Sequence, residues 1–123
     1  MNKEESLLYW VLMRLVEPIP GRALNARLKY VLCPDGGLSG DPGWTIDRSD
    51  NAGSISYEVI SDLGYHDSPF SRRTYSDSIV RLATLRTLQA VAAAYPERQG
   101  EVLDTIREFG LAADGVSPQT GKT

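Results

Sequence analysis

A chain of 123 residues with 41% apolar side chains has enough material to bury one hydrophobic core without disulfides or a structural metal. Its formal net charge of -3 argues against a surface built as a whole for nucleic acid or anionic lipid, both of which need a positive field. The lone Cys33 forms no internal pair, so a stapled secreted scaffold is not indicated and the cytoplasm is the expected compartment. The expected organisation is one compact domain over 1–111 followed by a disordered tail over 112–123.

Lys3 to Glu17 predicts a first helix, with acids and Ser6 near its start and Pro18 and Pro20 ending it. Leu7, Leu8, Tyr9, Trp10, Val11, Leu12, Met13, Leu15 and Val16 leave it no polar stripe, so it is either buried on nearly all sides or a surface for homo-oligomerisation. At this length, interrupted by Arg14, it is too short to cross a membrane. Leu24, Leu28, Val31 and Leu32 space a second helix within 21–32, and the Gly- and Pro-rich stretch 33–43 reads as an exposed loop.

Trp44, Ile46 and Arg48 alternate with polar residues, as do Ile55, Tyr57 and Val59. That pattern predicts an antiparallel β-hairpin over roughly 44–60, joined by a loop of five residues at 49–53. The stretch 61–73 reads as turns. A long helix follows from Thr74 or Ser76 to Tyr95, with Ala90–Ala94 as a smooth face, and a last amphipathic helix spans 97–109. The fold class is therefore α+β, with about four helices and one hairpin inserted between helices 2 and 3.

Sites are sparse. Gly121, Lys122 and Thr123 resemble the end of a phosphate loop, but the spacing to Gly115 is wrong and no helix can follow. His66 and Cys33 have no partners that would make a triad or metal set, so neither a metal nor a cofactor is implied. Asp47, Asp50, Glu58 and Asp62 suit the polar side of a solvated ribbon and its turns.

The most informative stretch, 64–75, brings together Tyr65, His66, Phe70, Arg72, Arg73 and Tyr75 before a helix start. Aromatics and Arg carry the most energy per contact at protein interfaces, so these residues, with Trp44, are the candidate partner-binding set. Trp44 serves equally as a core anchor. Arg72 and Arg73 are also candidate anion contacts. Four arginines face one acid over 68–95, while five acids face two arginines over 96–114, so the last two helices attract each other as they pack.

The functional expectation is a small non-enzymatic module that binds another protein, of the inhibitor, immunity or anti-defence type found in bacteria and phage. Two alternatives stand beside it. One is a nucleotide-like anionic ligand held by His66, Arg72, Arg73 and Tyr75, and the other is a homo-oligomer assembled through the first helix.

Overall fold

A computed structural model describes residues 5–33, 36–40, 43–61 and 72–111. The architecture is α+β, and helices α1 (Ser6–Leu15) and α2 (Asn25–Val31) precede strands β1 (Gly37–Gly40), β2 (Trp44–Asn51), β3 (Ser54–Ser61) and β4 (Arg72–Ser76). Helix α3 (Asp77–Ala94), a 3-10 turn (Pro96–Arg98) and helix α4 (Gln99–Glu108) complete it. The strands form one antiparallel sheet in the order β1-β2-β3-β4.

The expectation of a single hairpin is thus corrected to a four-stranded sheet. Strands β2 and β3 are its inner pair, and both of their outer edges are occupied, by β1 and β4. The expected five-residue connection shrinks to two residues: Asn51 pairs with Ser54, and Ala52 and Gly53 turn at φ of 54° and 87°. Two successive positive φ values define the tight turn whose twist matches the flanking strands. The Asp50 Oδ1 accepts from Gly53 N at 3.0 Å and holds it.

Alternation along the strands sends Trp44, Ile46, Tyr57, Val59 and Tyr75 to one face, where all are buried. Helix α1 lies on β2 and β3, α3 on β3 and β4, and α2 on β1 and β2. The apolar circumference of α1 is consumed in this way. Leu7, Leu8, Val11, Leu12 and Leu15 are buried, and Tyr9 and Trp10 pack partly against the core. Arg14 stacks on the Trp10 ring at 5.0 Å, leaving Met13 as the helix's exposed large apolar residue. An interface through this helix loses its material.

Helix α3 starts where its cap dictates: Ser76 is the last residue of β4, and its Oγ accepts from Ile79 N. Helices α3 and α4 pack antiparallel, since Arg81 Nη2, near the start of α3, donates to Phe109 O and Gly110 O at 3.0 and 2.7 Å, at the end of α4. A cation there satisfies terminal carbonyls and suits the negative end of the helix. Two acids of α4 reach the start of α2: Glu101 Oε2 accepts from Leu24 N at 2.6 Å, and Glu108 Oε1 from Asn25 Nδ2 at 2.9 Å. The smooth alanine face is not used for close packing, because Ala90, Ala93 and Ala94 are exposed. None of the helices is long and apolar enough to cross a membrane among the described residues.

Candidate functional site

Among the described residues, the predicted contact residues do not converge. Trp44 and Tyr75 are 1% and 4% exposed, which makes them core residues of the sheet's covered face rather than contact anchors. Arg72 and Arg73 are neighbours on β4, and a strand sends neighbours to opposite faces. Arg72 is exposed on the open face and Arg73 is half-buried on the covered one, so the two cannot grip one anion together. Tyr65, His66 and Phe70 lie outside the described residues, as does the C-terminal tail. Among the described residues, Arg72 is the anion candidate left on the open face, and it pairs with Glu58 at 3.7 Å.

A different site emerges from the register. No helix among the described residues covers the second face of the sheet, and three rows cross it. Ser39, Thr45, Ile60 and Arg72 form the first; Gly37, Asp47, Glu58 and Thr74 the second; Ser49, Ser56 and Ser76 the third. Most of these side chains are small hydroxyls. In the central row, however, Asp47 and Glu58 stand directly opposite each other on adjacent strands.

Like charges in that position destabilise a sheet. The local packing shows how the pair is tolerated. Glu58 leans to Arg72 on β4, whereas Asp47 leans over β1, where a Cβ on Gly37 would come within 2.5 Å of Asp47 Oδ1. Glycine at 37 thus leaves the Asp47 carboxylate its room. Neither accommodation is strong, because the Arg72–Glu58 pair is solvent-exposed, with side chains 67% and 43% accessible. The result is a hydroxyl-rich face with two carboxylates at its centre.

No family model, curated protein or solved structure matches this chain. The site is therefore weighed on its own chemistry against the other concave and polar features. A cavity of about 450 Å³ lies between the Pro18–Gly21 connection and the α3–α4 corner, beside Tyr95, Glu97, Arg98 and Glu101. Its inner charges are spent on the fold: Arg98 donates to Glu101 through Nε and Nη2 at 3.0 and 2.9 Å, and to Arg22 O at 2.7 Å. Burial, Arg27 and Arg98 lower the Arg22 pKa from its ordinary value, against Glu17, which raises it. A second groove of about 330 Å³ between α3 and α4 is mostly apolar, lined by Ala92, Val102, Leu103 and Ile106 beside Gln89 and Gln99.

On the covered face, Tyr57 stands in register with Arg48, and its hydroxyl lies near the Arg48 guanidinium and the Asp77 carboxylate at the start of α3. Burial pushes its pKa up from 10.0; hydrogen bonding from Arg48 opposes that shift, and the nearby Asp77 charge reinforces it. The folded state therefore favours the neutral phenol. Its contribution to stability is complete below pH 10.0 and is lost as the pH rises through the higher folded-state value. Urea melts between about pH 8 and 11 are expected to show this loss, and Tyr57→Phe is expected to flatten that part of the profile. An unchanged profile in the variant would remove Tyr57 as its source.

Among the described residues, no group of three or more His, Cys, Asp and Glu side chains is placed to hold a metal ion. Sequence reading had Asp47 and Glu58 in hand as polar strand residues, but not as a pair. Their pairing follows from the register set by the two-residue turn.

Proposed function

We propose that the protein is a small non-enzymatic binding module of the inhibitor, immunity or anti-defence type, of bacterial or phage origin and acting in the cytoplasm. Its open sheet face takes a basic segment of the protein it binds. The observation that carries this reading is the in-register Asp47–Glu58 pair on the uncovered face. A locally unfavourable pair that contributes nothing to the core is best accounted for by what it meets outside the chain. A partner's Lys or Arg set between the two carboxylates converts their repulsion into attraction, and the surrounding hydroxyls supply hydrogen bonds. The acidic balance of the chain supports the same sign of partner. The class of module rests on size and composition.

The double variant Asp47→Asn, Glu58→Gln tests this. Removing the repulsion is expected to leave the unfolding free energy unchanged or raise it by about 0.2–1 kcal/mol. The same change is expected to abolish retention of a stoichiometric protein partner from native-source lysate, and wild-type retention should weaken as salt is raised. Equal retention by the variant at low salt overturns the reading.

A further inference from the structure

We propose that the corner between α1 and α2 binds a phosphate monoester with a flat ring, of the nucleoside monophosphate class. The phosphate sits on Arg22 and Arg27, and the ring enters the neighbouring cavity beside Pro18, Pro20 and Tyr95.

Two guanidiniums meet the end of α1. Arg27 Nη1 donates to Arg14 O, in its last turn, at 3.4 Å, and Arg22 Nη2 donates to Glu17 O, just beyond its cap, at 3.2 Å. Cations suit the negative end of a helix, but that end carries only about half an elementary charge. Two arginines exceed it. Among the described residues neither of them makes an ion pair, whereas Arg72, Arg98 and Arg107 each find a carboxylate. The charges that face Arg22 are Arg27, Arg98 and Glu17. Arg98 is answered by Glu101, and Glu17 is exposed and beyond ion-pair distance of either arginine. Burial and the two neighbouring arginines accordingly hold the Arg22 pKa below its ordinary value.

Each guanidinium carries five N–H donors in a planar fork and gives one of them to the chain. The fork that remains matches the oxygens of a phosphate, which accepts bidentate bonds and supplies the missing negative charge. A small ligand fits this better than a nucleic acid, because the excess of cations is confined to one corner of a chain whose net charge is -3.

Room for the rest of the ligand adjoins the arginines. The cavity of about 450 Å³ is lined by Pro18 and Gly21, the chain neighbours of Glu17 and Arg22, and Arg98 on its other side donates to Arg22 O at 2.7 Å. Arg22 therefore spans the rim, from Gly21 back to the residue before Pro18. The volume falls within the roughly 300–1,000 Å³ of small-molecule sites. Two proline rings and the 43% exposed Tyr95 offer flat apolar surface, and Glu97 offers an acceptor for amino or hydroxyl groups. Since Arg98 and Glu101 satisfy each other, that wall presents no uncompensated pair to a neutral ring. This inference does not depend on what the open sheet face binds.

The full chain is titrated at low salt with adenosine monophosphate and, separately, with inorganic phosphate, and amide NMR shifts are followed. Adenosine monophosphate is expected to move residues 17–27 and 95–101 and to bind at least about fivefold more tightly than phosphate. Arg22→Gln with Arg27→Gln is expected to weaken it about tenfold or more. Because both arginines also bond the end of α1, Arg22→Lys with Arg27→Lys is measured beside it; this pair keeps the charge and loses the fork, and is expected to bind several-fold more weakly than the natural chain. Arg86→Gln with Arg107→Gln removes the same charge from exposed positions of α3 and α4 and is expected to leave binding unchanged. No binding at about 10 mM adenosine monophosphate overturns the proposal, as does equal affinity for phosphate alone. So does a folded Gln or Lys pair at 22 and 27 that binds like the natural chain, or an equal loss in the remote pair.

Discussion

Trp44→Ala is expected to lower the unfolding free energy by about 3–5 kcal/mol, the largest effect of any single truncation here. Trp44 heads the largest fully buried side chains, at the start of β2, and its ring lies against the backbone of Gly40 on the neighbouring strand. A Cβ at position 40 would stand 2.6 Å from Trp44 Cζ2, so the indole occupies the space that a side chain on β1 would need. Removing it empties a site between β1 and the helices that a rigid sheet cannot refill. A domain stable by some 5–15 kcal/mol would be near its limit, and Trp44→Phe should keep part of the contact and remain measurable by urea unfolding. The pairing has its own check. Gly40→Ala should destabilise the natural chain but cost much less beside Trp44→Ala, since the ring it collides with is gone. Equal costs in both backgrounds would mean that the glycine serves some other need.

Glu101→Ala is expected to cost about 2–3 kcal/mol, because one carboxylate answers three donors. It accepts from Leu24 N at 2.6 Å and from Arg98 Nε and Nη2 at 3.0 and 2.9 Å. The Leu24 amide is an N-terminal helix donor with no local side-chain cap, so α4 caps α2 across 77 residues of chain. Arg98 has a side chain only 17% exposed and would be left half-buried without its carboxylate. Amide exchange over residues 22–26 should quicken along with the loss of stability. Glu101→Gln, which keeps an acceptor for Leu24 but not the charge for Arg98, should fall between. If Glu101→Ala melts like the natural chain, the clamp contributes no stability.

The same two sites show what could be read from residues alone. The helices and the inner strands announce themselves through apolar periodicity, because burial repeats every third or fourth residue in one case and every second in the other. Strand β1 carries no such mark: Gly37, Leu38, Ser39 and Gly40 have little intrinsic preference for a strand, and they form one because β2 offers a ladder and Trp44 needs a glycine beside it. Strand β4 is five residues long and opens with two arginines, although Arg73 and Tyr75 do fall on the covered side. The cap on α2 was out of reach, since nothing near Leu24 signals a donor satisfied from residue 101.

The register was within reach. Ile46 and Tyr57 can both face the helices on directly paired strands only if an even number of residues lies in the loop, so a five-residue connection conflicts with the alternation that suggested the hairpin. Two residues resolve the conflict and bring Asp47 opposite Glu58. A five-residue loop would thus part the two carboxylates that the two-residue turn sets side by side.

Because the helices lie on one side of the sheet, the outward positions of β2, β3 and β4 form an alternating set, Thr45, Asp47, Ser49, Ser56, Glu58, Ile60, Arg72 and Thr74, that is separate from the buried core. Substitutions there change what the molecule presents without passing through the constraints of folding. Lineages carrying this fold can accordingly diverge fast in recognition while the covered half stays nearly fixed, and an engineer can randomise the same alternate positions as a library on a constant scaffold.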